Sequence, residues 1–254
     1  MIKKIIFFFM FINFSNTYAS DHQGSINADK SLLISEIAEI YQASMTYIFK
    51  NQTLINQKGS DKSGLFGKSF LLNIKKAYRT KFNKPFPSDE HILVKALLRV
   101  MIEVMESNRT LFYDDDIQFK GFIPAIFAFQ LSEKLSKKGL GLKIKFTSTP
   151  DMIRNQLNHP DLWEVETMKK IQESALPRYY DDKAKYLNKT AQRYFLPVKM
   201  QTFCLYCHGK PENNPLNKNR NKLQWTNIDK TGFPMENWTL KDFGGGISII
   251  IYDK

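Results

Sequence analysis

The chain has 254 residues, of which 37 are lysine or arginine and 25 are aspartate or glutamate, so its formal net charge is +12 at pH 7. Such an excess suits acidic proteins or anionic surfaces as partners. Because the basic residues are spread along the chain instead of forming one stripe, we do not expect a nucleic-acid-binding protein. After the N-terminal segment, no apolar run is long enough to span a membrane.

The N-terminus has the pattern of a secretory signal peptide. A basic start at Lys3 and Lys4 is followed by an apolar stretch, Ile5 to Phe14, and by small residues that end at Ala19. This stretch is about half of the roughly 20 residues that a membrane-spanning helix needs. We therefore predict that residues 1–19 are cleaved and that residues 20–254 form a periplasmic protein that is not integral to the membrane.

Residues 20–110 are helical in pattern. Apolar residues recur at steps of three and four from Ser31 to Ile55, which predicts one long amphipathic helix. A Gly/Ser-rich break from Lys58 to Gly67 precedes a second predicted helix, Lys68 to Phe82. A third is predicted from about Ser88 to Met105, beginning with a Ser-Asp-Glu start signal.

Residues 111–254 mix short apolar runs with helical stretches. Strands are predicted at Leu111 to Tyr113, Leu142 to Thr147, Arg193 to Met200 and Ile247 to Tyr252, and helices near Ala125 to Lys137 and Leu162 to Ser174. Lys210 to Asn237, rich in Asn, Lys and Pro, is predicted as a long loop, and connections of this length are usually functional or mobile. We expect one domain over residues 20–254, with a helical part and a sheet part.

The only two cysteines lie in the segment Cys204-Leu205-Tyr206-Cys207-His208. This spacing attaches a c-type haem, because two thiols three positions apart reach the two vinyl groups of one porphyrin edge and the next residue places an imidazole beneath the iron. We predict one covalent haem c, attached through Cys204 and Cys207, with His208 as iron ligand. Bacteria attach such haems outside the cytoplasmic membrane, so the motif and the signal peptide support each other.

Two other chemistries share this spacing. A Cys-x-x-Cys pair can be a redox disulfide of thioredoxin type, but no strand-like run leads into a long helix at Cys204. A structural zinc site needs four protein ligands, and the other histidines, His22, His91 and His159, are scattered singly. The spacing therefore favours haem over both alternatives.

Several segments in order carry a resemblance to a known family. They are Phe119 to Ala128, Ile144 to Thr147, Arg154-Asn155, Pro160-Asp161, Trp163-Glu164, Cys204 to Gly209 and Phe243 to Ile249. Together they resemble the Tll-like monohaem c family, long catalogued as a domain of unknown function, and the similarity covers about Ser31 to Tyr252. Members of that family are stand-alone periplasmic proteins or extracytoplasmic sensors of histidine kinases and chemoreceptors.

The resemblance implies a PAS-like α+β fold, in which an antiparallel sheet holds the haem on its concave side and long N-terminal helices pack beside it. It implies that Arg154 and Trp163 frame the pocket and bind the cofactor together with Cys204, Cys207 and His208. From the residues alone, Arg154 is equally suited to an ion pair with a nearby aspartate, and Trp163 is better suited to core packing.

The second axial position on the iron is not determined by spacing. His91, His159, Met45, another methionine or an open position are all candidates, and a thiolate is excluded because both cysteines form thioethers. The glycines at 244–246 permit either close approach of the backbone to a porphyrin or a turn into the last strand.

Two functions remain open for a periplasmic monohaem protein, and no paired acids or Ser/His arrangement indicates an enzyme. The first is a haem-based sensor of redox state or of a small gaseous ligand, which would signal to a separate partner protein. The second is a soluble electron-transfer cytochrome that docks acidic redox partners. A haem-free thiol redox protein is a third hypothesis. The long N-terminal helices favour the sensor, since a helix pair is a common bistable element.

Overall fold

The computed structural model describes residues 17–252. Positions 1–16 lie outside the described residues, so the signal peptide over 1–19 and its cleavage stay predictions. Along the part of the chain that is described, no helix combines the length and the apolar character of a membrane span.

The first half of the described residues is helical, as the sequence predicts. Its helices are α1 (Thr17–Lys50), α2 (Gln52–Asn56), α3 (Gly67–Phe82), α4 (Ile92–Ser107) and α5 (Arg109–Tyr113). The predicted long helix starts further upstream and is interrupted at Asn51, whose side chain donates a hydrogen bond to the carbonyl of Tyr47 at 2.9 Å. Such a local bond competes with the helical backbone pattern. The upstream extension is polar, so apolar periodicity did not indicate it.

The strand predicted at Leu111 to Tyr113 is wrong, because these residues belong to α5. The amide of Phe112 donates to the carbonyl of Asn108 at 3.0 Å, as in a helical turn. The Phe112 side chain is fully buried, and its ring lies 4.8 Å from that of Phe122. A three-residue apolar run cannot distinguish a strand from a buried helical turn.

The second half carries the sheet. Its elements are α6 (Pro124–Lys137), β1 (Leu142–Thr147), α7 (Leu162–Ser174), β2 (Tyr179–Tyr186), β3 (Lys189–Lys199) and β4 (Phe243–Tyr252). The four strands are antiparallel in the order β1-β4-β3-β2, so the α+β class is confirmed. Strand β2 was not predicted from the sequence; half of its eight residues are charged, as suits a strand at the edge of a sheet.

The two faces of the sheet pack against different helices. Ile144, Ile247 and Ile249 share one buried cluster with the N-terminal helices and α6. On the opposite face, Phe195 packs with Met168 and Ile171 of α7. One face of the sheet therefore shares the main core with the N-terminal helices, and the other face forms a smaller cluster with α7. The long connection from β3 to β4 begins and ends at the same end of the sheet, since Lys199, the last residue of β3, pairs with Phe243, the first residue of β4.

Candidate functional site

The Cys-x-x-Cys-His segment lies in this connection and forms one helical turn. The turn, α8 (Leu205–His208), directly follows Cys204. The carbonyl of Cys204 accepts from the amides of Cys207, at 3.2 Å, and of His208, at 2.9 Å. Because positions three and four apart on a helix share one face, both thiols and the imidazole project from the same side of the segment.

The turn ends at a glycine for a steric reason. Gly209 is buried, and a Cβ there would lie 2.5 Å from the carbonyl oxygen of Leu205 and 2.8 Å from Oδ1 of Asn213. The residue after the histidine therefore has to be glycine for the turn to close against the following loop.

The two thiols are free and only partly buried. Burial raises the pKa of Cys204, and burial together with the Asp229 carboxylate raises the pKa of Cys207 to about 11. Redox-active cysteine pairs usually have a lowered pKa that stabilises the thiolate. The surroundings of this pair therefore do not activate a thiolate at neutral pH.

His208 is oriented by a carboxylate and an aromatic ring. Its Nδ1 lies 2.9 Å from Oε2 of Glu236, and its ring stacks on Trp238 with 5.1 Å between centroids and 22° between planes. Burial favours a higher pKa for Glu236, but the hydrogen bonds from His208 and Arg154 outweigh it and the net pKa is lowered. The ionised carboxylate accepts from Nδ1, which leaves Nε2 available to a metal.

Arg154, in the loop after β1, joins the motif turn to two acidic residues of the loop over 210–237. Its Nε and Nη2 donate to the two oxygens of Glu236 at 2.6 and 2.8 Å, and its Nη1 donates to Asp229 at 2.7 Å. Its Nη2 also donates to the carbonyl of Cys207 at 3.0 Å. The structure thus places Arg154 at the motif, where its partners are Glu236 and Asp229 instead of the aspartates close to it in sequence.

The long loop that carries Glu236 and Asp229 is built by buried asparagines. Asn214 donates to the carbonyl of Ile228 at 2.9 Å, and Asn217 donates to that of Thr226 at 2.9 Å. Both asparagine side chains are almost fully buried. The loop over 210–237 is therefore present as predicted, and several of its polar residues hold its shape.

Trp163 lies in a different cluster, at the start of α7. Its Nε1 donates to Asp181 at 3.1 Å, and the Arg193 guanidinium lies 4.2 Å from its ring centroid. Arg193 is 2% exposed and pairs with Asp161 at 2.7 Å. These contacts join α7 to the sheet, and a role for Trp163 in a haem pocket stays a prediction.

The candidates for the second axial ligand each have local partners. Nδ1 of His91 accepts from the amide of Leu93 at 3.2 Å. Nδ1 of His159 lies 3.0 Å from the carbonyl of Pro160, and Met45 packs against the helical core. None of these contacts selects one candidate, so this ligand stays open.

The glycines at 244–246 have a structural explanation. Gly245 has φ +93°, and a Cβ there would meet the carbonyl of Thr147; side chains at the two neighbours would meet Met200 and Phe195. The close approach that requires glycine is therefore to the chain's own atoms.

Sequence reasoning missed Asp229, Glu236 and Trp238. They are remote from the motif in sequence, and no regular spacing links them to it. One signal was available: within 210–237 the acids are only Glu212, Asp229 and Glu236 among several basic residues. An isolated acid in a basic loop is a candidate partner for a buried cation or histidine.

Comparison with known families matches residues 25–251 to the Tll0287-like family, described as Tll0287. A search of solved structures finds the crystal structure of the cyanobacterial haem protein Tll0287, with 15% identity, 64% of this chain and 93% of that chain covered, and a TM-score of 0.38. No curated protein shows significant similarity. The family match covers almost the whole chain and confirms the resemblance indicated by the ordered motifs. The chain belongs to the Tll0287-like family.

Proposed function

We propose that this protein carries one haem c, attached through Cys204 and Cys207, with His208 as an axial ligand. The observation that carries the proposal is the helical turn that presents two free thiols and an imidazole from one side, with Nδ1 of His208 held by Glu236. Membership of a family that includes a described haem protein supports it. When bound, the haem supplies an iron that changes oxidation state or binds a small ligand.

The proposed role is a periplasmic sensor of redox state or of a small ligand, with a PAS-like arrangement of sheet and helices. Phe203, which directly precedes the motif, stacks on Phe49 of α1 with 3.8 Å between ring centroids and 23° between planes. A displacement of the motif turn would therefore act directly on the end of the longest helix. Helix shifts of this kind transmit signals to partner proteins.

An electron-transfer cytochrome is the second candidate. Cys204 and Cys207 are only partly buried, so an attached haem edge would lie near the surface, and the net charge of +12 for the whole sequence suits acidic partners. The raised pKa of both thiols speaks against the haem-free thiol hypothesis.

The first test is covalent attachment. Protein produced with a c-type maturation system is expected to have the mass of the chain without its signal peptide plus one haem, and to stay coloured after acid–acetone extraction. Intact mass spectrometry and the optical spectrum measure this. An unmodified mass, or colour lost to the solvent, would overturn the proposal.

The second test separates sensing from electron transfer. We expect the ferrous protein to bind carbon monoxide or nitric oxide, or to exchange its second axial ligand on reduction, and we expect proteolytic protection over residues 31–69 to change at the same time. The Phe203→Leu variant should keep the spectral response and lose the change in protection, whereas Tyr206→Leu, at an exposed aromatic of the same turn, should keep both. Two low-spin oxidation states that refuse every small ligand and show identical protection would favour the electron carrier.

A further inference from the structure

We infer that Glu236 is a positioning residue that increases the electron donation of His208 to the iron, and that Arg154 fixes the carboxylate in place for this purpose. The inference rests on the proposed function, since it concerns the imidazole assigned as axial ligand. It adds a determinant of the reduction potential that lies 28 residues beyond the histidine.

The geometry leaves the imidazole little freedom. Glu236 meets Nδ1 of His208 with one oxygen, and Arg154 binds both oxygens of the same carboxylate. Trp238 stacks on the imidazole, and its amide donates to the carbonyl of His208 at 2.9 Å. The ring plane and the direction of Nε2 are therefore both fixed from the protein side.

The cluster of Arg154, Asp229 and Glu236 keeps a net negative charge, because one guanidinium faces two carboxylates. Arg154 faces two carboxylates, because Nη1 pairs with Asp229 while Nε and Nη2 pair with Glu236. Asp229 is also bound by the hydroxyl and amide of Thr231, both at 2.7 Å. The guanidinium is thus shared between the two acids, and Glu236 keeps negative charge toward His208.

A charged acceptor at Nδ1 changes how strongly Nε2 donates electrons to a metal. Hydrogen bonding from a ligating histidine to a carboxylate raises the basicity of the ring, more than a neutral acceptor does. A more basic imidazole stabilises the ferric iron more than the ferrous iron. The reduction potential of the wild-type protein is therefore lower than it would be with a neutral acceptor.

The test is potentiometry of the holoprotein and its Glu236→Gln variant. Glutamine keeps the size of the side chain and an oxygen that can accept from Nδ1, but it removes the charge. We expect the equilibrium constant for reduction to rise at least tenfold, which is about 59 mV for a one-electron couple, while the covalent mass is unchanged. Glu212→Gln is the matched control, since Glu212 is exposed in the same loop, and it should change this constant less than twofold.

The outcomes separate the inference from the proposed function. Equal shifts in the two variants, or no shift in Glu236→Gln, would overturn the inference while covalent haem and His208 ligation still stand. Wild-type protein without covalent haem would overturn the proposed function itself. If Glu236→Gln does not accumulate, Glu236→Asp is the second variant, because aspartate keeps the charge but moves it away from Nδ1 of His208. We expect a smaller rise in the equilibrium constant for reduction in Glu236→Asp. An unchanged reduction potential in that variant would also contradict the inference.

Discussion

The His208→Ala protein is expected to lose the low-spin haem spectrum or to fail to accumulate as holoprotein. Cys204 and Cys207 remain able to form thioethers, but the imidazole that provides one strong axial field is gone, and Glu236 and Trp238 lose the partner that they hold. Optical spectra of both oxidation states, with intact mass to count attached haem, measure the effect. This is the largest spectroscopic change that we expect from any single substitution.

His91→Ala, His159→Ala and Met45→Leu are the matched comparisons. If only one of these variants changes the spectrum while covalent haem is retained, the substituted residue is the second axial ligand. If all three spectra are unchanged, the second axial position is held by another residue or is open. Circular dichroism of the His208→Ala protein distinguishes lost ligation from lost folding. A low-spin spectrum that survives in His208→Ala would show that another residue holds the iron.

Much of the fold could be predicted because its signals are local. The start of α7, for example, is encoded by a capping box in which Asp161 and Glu164 bond each other's backbone amides. Alternating apolar residues likewise indicate β1, which presents Ile144 to the core. Strand β2 was not predicted because its partly exposed residues suit the edge of the sheet and do not form the apolar pattern of a buried strand.

The site was predictable only as far as its residues are neighbours in sequence. The positions of Cys204, Cys207 and His208 on one turn follow from their spacing, whereas Arg154 and Glu236 are 82 positions apart. Only the tertiary fold, which brings the loop after β1 against the loop before β4, determines that pair. The stack of Phe49 on Phe203 depends on the fold in the same way.

Arg154→Ala should lower the free energy of unfolding by about 3 kcal/mol at pH 7, since removing one partner of a buried ion pair leaves the other charge uncompensated. The Asp229 side chain is fully buried and that of Glu236 is 14% exposed, while Arg154 is 19% exposed. Chemical denaturation of the holoproteins measures the difference. Arg220→Ala, at an exposed arginine of the loop over 210–237, removes the same charge and should change stability by less than about 0.5 kcal/mol.

The difference between wild type and Arg154→Ala should also depend on pH. Burial favours higher pKa values for Asp229 and Glu236, but their hydrogen bonds outweigh it and lower them below the ordinary values of 3.8 and 4.5. The stabilisation from these acids is therefore fully present above those values and is lost as the pH falls through the lowered pKa values. The bonds from Thr231 to Asp229 and from His208 to Glu236 remain in the variant, but the lowering contribution of the guanidinium is lost. Both acids therefore protonate at a higher pH than in the wild type, so the penalty of the variant should shrink between pH 7 and about pH 3. Arg154→Lys keeps the charge without the forked geometry, so its free energy of unfolding should lie between those of the wild type and Arg154→Ala. A penalty of Arg154→Ala that stays constant on acidification would contradict the role of Arg154 as the shared partner of both carboxylates.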